Sequence, residues 1–227
     1  MTTNTKKLRY ERKYLLDRDT ALYLKQRVSY VLSPDDSSPD GSYRVSSMYF
    51  DDHYNTSFYE KKNGVLRRDK FRARFYNRSF DKIRLECKHK HDKMICKEGY
   101  TITYEQYQMM CESDYDFMKD QPSSVFEKFY TTHLLKRMRP VIMVEYIRNA
   151  FMHSTGNVRL TFDSDLSATK PQIGVSHSVM PIENVILEIK YDNFIPLFIN
   201  ELITGAPFTQ QLSISKFVMA KHALQGK

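Results

Sequence analysis

Six stretches of the chain set charged side chains two residues apart, a spacing that places them on one face of an extended strand. Between positions 70 and 76, Lys70, Arg72, Arg74 and Tyr76 share one face, while Phe71, Ala73 and Phe75 take the other. Between 84 and 90, Arg84, Glu86, Lys88 and Lys90 alternate with Leu85 and Cys87. The same pattern groups Arg9, Glu11 and Lys13 near the start, and Glu188 with Lys190 against Leu187 and Ile189 near the end. Tyr146 falls with Arg148, and Arg159 with Thr161 and Asp163. A half-buried antiparallel sheet always has a wet face, and for one such strand that explanation suffices. Six strands rich in Arg and Lys, with little neutral polar filler, ask for more. Cations packed this closely repel one another and resist desolvation, so the face must be water-filled or occupied by a polyanion. Guanidinium forks match phosphate oxygens, and ammonium groups add compact charge. Glu11, Glu86 and Glu188 supply the hard oxygens that Mg2+ or Mn2+ prefers. These are the parts phosphoryl transfer requires, since that chemistry depends on positioning and charge neutralisation.

The elements that must hold these residues follow from the same patterning. Strands are expected at 8–16, 43–50, 66–77, 81–90, 93–102, 140–152, 157–163 and 184–192. Asp17 is placed to cap a helix whose buried face would carry Ala21, Leu24, Val28 and Val31. The segment 33–42 is a polar loop by composition. Helical patterns occupy a short stretch ending at Lys62, then 103–112 and 122–137, then the chain from Pro196 onward with a break near Gly205–Pro207. Eight strands, mostly sequential neighbours with helices outside them, predict a mainly β (α+β) fold. Its natural form is a closed or nearly closed antiparallel barrel in a single domain spanning 1–227.

The 227 residues carry a net charge of +8, which points to an anionic partner. Charge alone leaves nucleic acid, a membrane surface and phosphate-rich small molecules open. Cys87, Cys96 and Cys111 cannot all pair within the chain and lack metal-type spacing, which predicts reduced thiols and a cytoplasmic protein. The first residues lack the apolar core of a signal peptide, and no apolar run approaches the ~20 residues that cross a bilayer. His89 and His91 share a strand face, but no third ligand lies nearby in sequence, so they are read as a turn or mouth feature; Cys87 is read as wall packing. No P-loop or nucleophile elbow occurs. The run FYNRSF mixes aromatics with Arg, yet no nucleic-acid reader motif accompanies it.

Eight segments then carry a family resemblance: RYERKY (9–14), SSMYFDD (46–52), KFRARFY (70–76), RLECKHK (84–90), VEYIRNAF (144–151), VRLTFD (158–163), ILEIKYD (186–192) and ISKF (214–217). In this order they resemble the VTC domain, the polyphosphate-polymerase branch of the triphosphate tunnel metalloenzymes and a relative of the CYTH domains. The resemblance implies an eight-stranded antiparallel tunnel with a basic lumen. It assigns phosphate contacts to Lys13, Arg72, Arg74, Lys88, Arg148, Arg159, Lys190 and Lys216, with Tyr146 and Ser215 as polar partners. Lys70 and Lys90 share those strand faces and join them as phosphate ligands. Glu188 matches the metal-binding glutamate, with Glu11 and Glu86 as further metal-site or supporting candidates. One position departs from the CYTH relatives: Arg9 stands where their ExExK signature has its first Glu, which favours a polymerase over a two-metal hydrolase.

The expected function is therefore Mg2+- or Mn2+-dependent transfer of the γ-phosphoryl of ATP onto polyphosphate. A triphosphatase in the same tunnel and a non-catalytic polyanion-binding domain are the alternatives. ATP and polyphosphate are the expected partners, nucleic acid is not. A membrane protein that receives the product is a further candidate partner.

Overall fold

A computed structural model describes residues 9–36, 41–91, 94–119, 121–171, 180–206 and 211–225. In chain order the elements are β1 (Tyr10–Leu16), α1 (Arg18–Ser29), β2 (Ser33–Pro34), β3 (Tyr43–Asp51), α2 (Thr56–Lys62), β4 (Arg67–Tyr76), β5 (Ser79–His91), β6 (Met94–Ile102), α3 (Tyr104–Cys111) and α4 (Ser124–Lys136). There follow β7 (Arg139–His153), β8 (Val158–Thr169), β9 (Met180–Ile182), β10 (Val185–Tyr191), α5 (Leu197–Thr204) and α6 (Lys216–Gln225). All eight expected strands form. Two short ones are added: β2, inside the segment read as a loop, and β9. Composition could not reveal β2, because Ser33 and Pro34 form it only by pairing with Met152 and Phe151 of β7.

The chain divides into two compact units: Met1–Arg44 with Tyr146–Leu166 and Pro181–Ser215, and Val45–Glu145 with Ser167–Met180 and Lys216–Lys227. In the first, strands are ordered β1-β10-β8-β7, with β2 on β7 and β9 on β8. In the second the order is β7-β3-β4-β5-β6, the first half of β7 belonging there. Among the described residues β1 and β6 are the two ends of the strand order, and no pairing joins them.

In the first unit Asp17 caps α1 as expected, its carboxylate accepting the Thr20 N–H at 2.7 Å. Ala21, Leu24 and Val28 are buried with Leu160, Leu187 and Ile189 from the strands and Ile199 and Leu202 from α5. Val31 is not part of that face. The helix ends at Ser29, leaving Val31 44% exposed, and Leu32 takes the buried position. In the second unit Phe71, Ala73 and Phe75 of β4 and Ile83, Leu85 and Cys87 of β5 pack with Tyr107 and Met110 of α3 and Phe126 and Phe129 of α4. Each buried side chain of this size contributes about 1.5–3 kcal/mol. Asn77 and Arg78 both take positive φ between β4 and β5, the geometry of a tight two-residue hairpin that follows the strand twist. In both units helices cover the apolar face of the strands, so the charged face is the other one. No helix among the described residues is long and apolar enough to cross a membrane.

Candidate functional site

In the first unit, register builds a compact ionic cluster. Lys13 on β1 lies opposite Glu188 on β10, which lies opposite Thr161 on β8. Two register positions along, on the same face, Glu11 faces Lys190, which faces Arg159. The Lys13 ammonium is 2.6 Å from Glu11 Oε1 and 3.1 Å from Glu188 Oε2, while Lys190 binds the other oxygen of Glu188. Burial would lower the pKa of Lys13, but Glu188 and Glu11 outweigh it and hold the group firmly charged. Arg148 is buried and makes a bidentate pair with Asp163, Nε to Oδ1 at 2.7 Å and Nη2 to Oδ2 at 2.8 Å. Its Nη2 also reaches the hydroxyl of Tyr146, at 3.4 Å. Arg159 is held by Asp35, at 2.7 Å, and by the Tyr43 hydroxyl, at 3.1 Å. Asp35 is in reach because its own N–H donates to Ala150 of β7, beside the β2 pairing.

Two carboxylate oxygens, from Glu11 and Glu188, thus converge on one cation. Thr161, the cross-strand partner of Glu188, has a buried hydroxyl that finds no hydrogen-bond partner. Hard oxygen donors gathered in this way fit Mg2+ or Mn2+. Arg9, which stands at the position of the additional Glu, turns instead to Asp192, at 3.1 Å.

The second unit carries a lattice of cations. Lys70, Lys88 and Lys97 lie directly opposite one another across β4, β5 and β6, and Arg74 lies opposite Arg84. Like charges in such positions destabilise a sheet unless counter-ions offset them. Between these rows Arg72 faces Glu86, bonded Nε to Oε2 at 2.7 Å, and Lys97 takes the other oxygen. Burial would raise the Glu86 pKa, but Arg72, Arg74 and Lys97 prevail and bring it to about 2. Glu86 is a counter-ion that orients Arg72. Gly99 lies opposite Glu86, with the guanidinium of exposed Arg84 beside it.

Sequence reasoning missed several members of this cluster. Ser47 accepts from Arg74 Nε at 3.0 Å, and the Tyr49 hydroxyl accepts from Arg72 Nη1 at 3.5 Å. Tyr49 is buried, which would raise its pKa, yet Arg72, Lys70 and Arg74 draw it down to about 7. Lys70 sits 4.5 Å from the Tyr49 ring and 4.4 Å from the Phe217 ring. Phe217, fully buried, thereby anchors the start of α6 and with it Lys216; Ser215 is half-buried just before it. The alternation of β3 contained the signal, since Ser47 and Tyr49 are two apart. Lys88 is exposed and Lys90 half-buried. The side chain of His91 lies outside the described residues.

The solved structures most similar in shape include a candidate adenylate cyclase from Bacillus halodurans, 13% identical with a TM-score of 0.59, covering 92% of this chain and 94% of that one. A protein from Hippeastrum, described as a candidate adenylyl cyclase with a dominant triphosphatase activity, is 14% identical with a TM-score of 0.57, covering 95% of this chain and 96% of its own. At such identities the likeness is one of fold. No curated protein matches the chain. The model of the VTC domain family matches residues 8–225, and the chain belongs to that family.

Proposed function

We propose that this chain is a metal-dependent polyphosphate polymerase that transfers the γ-phosphoryl of ATP to the end of a polyphosphate chain. The observation that carries the reading is the directly opposed row Lys70–Lys88–Lys97, flanked by Arg72 and Arg74. Such a row suits a ligand with successive phosphates. Lys13, Arg148, Arg159 and Lys190 of the first unit, with Tyr146 and Ser215, are a phosphate-binding set of their own, and Lys216 at the start of α6 belongs with the cations of the second unit. Arg72 and Arg74, oriented by Glu86 and Ser47, align donor and acceptor phosphates for in-line attack. A terminal phosphate oxygen of the acceptor, already ionised at neutral pH, forms the new P–O bond. The bond from the γ-phosphorus to the bridging oxygen breaks, and ADP leaves. No general base is needed. Lys13 and Lys190 stabilise charge that develops on the phosphoryl oxygens. Glu188 and Glu11 would hold Mg2+ or Mn2+, which neutralises phosphate charge when bound.

Hydrolysis is the second reading, favoured by the fold shared with the Hippeastrum protein. Arg9 weighs against it, since its pairing with Asp192 replaces a metal carboxylate by a cation. The deciding experiment incubates purified protein with ATP and Mn2+. Long polyphosphate with ADP supports polymerisation, and free phosphate without polymer refutes it.

A further inference from the structure

The face of β4 and β5 that turns away from the cation rows carries a second set of donors. Alternation along β5 puts Cys87 and His89 on that face, and register places Asp69 of β4 directly opposite His89. Asp69 Oδ1, Cys87 Sγ and His89 Nδ1 lie within 4.8 Å of one another. Nδ1 faces both partners, bonded to Asp69 and 3.8 Å from Cys87 Sγ. β6 brings Cys96 opposite His89 and Glu98 opposite Cys87. The third ligand that the local sequence around His89 lacks is thus supplied across the sheet, about twenty positions away in the chain.

A thiolate, an imidazole and a carboxylate make a borderline-soft set, suited to Zn2+ rather than Mg2+. Approach is available: the Asp69 and His89 side chains are 48% and 18% exposed, and both line a surface cavity of about 410 Å³. That leaves room for a water ligand.

We propose that Asp69, Cys87 and His89 form a Zn2+-class site that staples β4 to β5. Without the ion, the Lys128 ammonium donates to His89 Nε2 at 3.0 Å, so Nδ1 carries the ring proton and its N–H donates a hydrogen bond to Asp69 Oδ1. Metal binding moves that proton from Nδ1 to Nε2, and Lys128 keeps its contacts to Glu98 at 3.0 and 3.1 Å. The Cys87 thiol loses its proton to solvent, so binding one ion releases one proton net. The neighbouring register pair is Lys70 opposite Lys88. A staple at Asp69 and His89 fixes the register of that neighbouring pair.

The test titrates the full chain, stripped of metal, with Co2+ and records its absorption spectrum. One equivalent should produce a thiolate-to-cobalt charge-transfer band that equimolar Zn2+ abolishes, and Zn2+ should raise Tm. Cys87→Ser should lose the band. His89→Gln, at a partly exposed position, should weaken Co2+ binding at least about tenfold, since even outer-shell partners are worth that much. Absence of the band in the wild-type chain overturns the site. So does a band that survives Cys87→Ser but vanishes in Cys96→Ser. Should Cys87→Ser fail to fold, His89→Gln decides, and unchanged Co2+ affinity in that variant overturns the proposal.

Discussion

Replacing Glu86 with Gln should cost about 3 kcal/mol of stability at pH 7 and strengthen polyanion binding at the same time. The carboxylate is 3% exposed, with Arg72 on one oxygen and Lys97 on the other. Its pKa falls from 4.5 to about 2. At ~1.36 kcal/mol per unit that drop is about 3 kcal/mol, and breaking a buried pair from one side typically costs about 3–5 kcal/mol. Because the folded-state pKa is depressed, this stability is fully present above the unfolded value near 4.5. It is lost as pH falls toward 2. Urea unfolding at pH 7, and at steps from pH 5 downward, measures both effects. The wild-type chain should lose this share of stability on acidification, and Glu86→Gln should lack it throughout. Tripolyphosphate should then stabilise the variant more than the wild type, since Arg72, Arg74 and Lys97 regain a counter-ion. A variant within about 1 kcal/mol of wild type at pH 7 would refute the reasoning, as would a larger tripolyphosphate effect on the wild type.

Arg72→Ala removes a charge-assisted contact worth about 1.5–3 kcal/mol and should weaken metal-free polyphosphate binding roughly ten- to a hundred-fold. Glu188→Gln should leave that binding equal or tighter, while turnover with Mn2+ drops by several orders of magnitude; titration beside an ATP turnover assay separates the two. Arg72, Lys70 and Arg74 draw the pKa of Tyr49 down to about 7, so the free protein should carry it ionised at pH 8, and a bound polyanion should favour its neutral form. Tripolyphosphate binding at pH 8 should therefore take up protons, seen as calorimetric heats that depend on the buffer, and Tyr49→Phe should abolish that uptake. Tripolyphosphate should raise Tm by several degrees at low salt, and the shift should shrink steeply with added NaCl as the phosphate contacts are screened.

Alternation by itself determined which residues of each strand are charged and which pack inward. Lys70, Arg72 and Arg74 could share a face only if Phe71, Ala73 and Phe75 faced the helices, and the core confirms that they do. Capping chemistry placed α1 at Asp17, and eight motifs in order carried the family. Which cation meets which carboxylate was decided elsewhere. A period of two is unchanged when a strand slips by two residues, so the pattern cannot say whether Lys13 faces Glu188 or its neighbour, or that Arg72 takes Glu86. The pairs Arg148–Asp163 and Arg159–Asp35 join residues 15 and 124 positions apart. The second depends on β2, two residues with no propensity of their own. Asp69 beside His89, and Tyr49 among three cations, likewise exist only because register sets strand against strand, and that is a property of the tertiary fold.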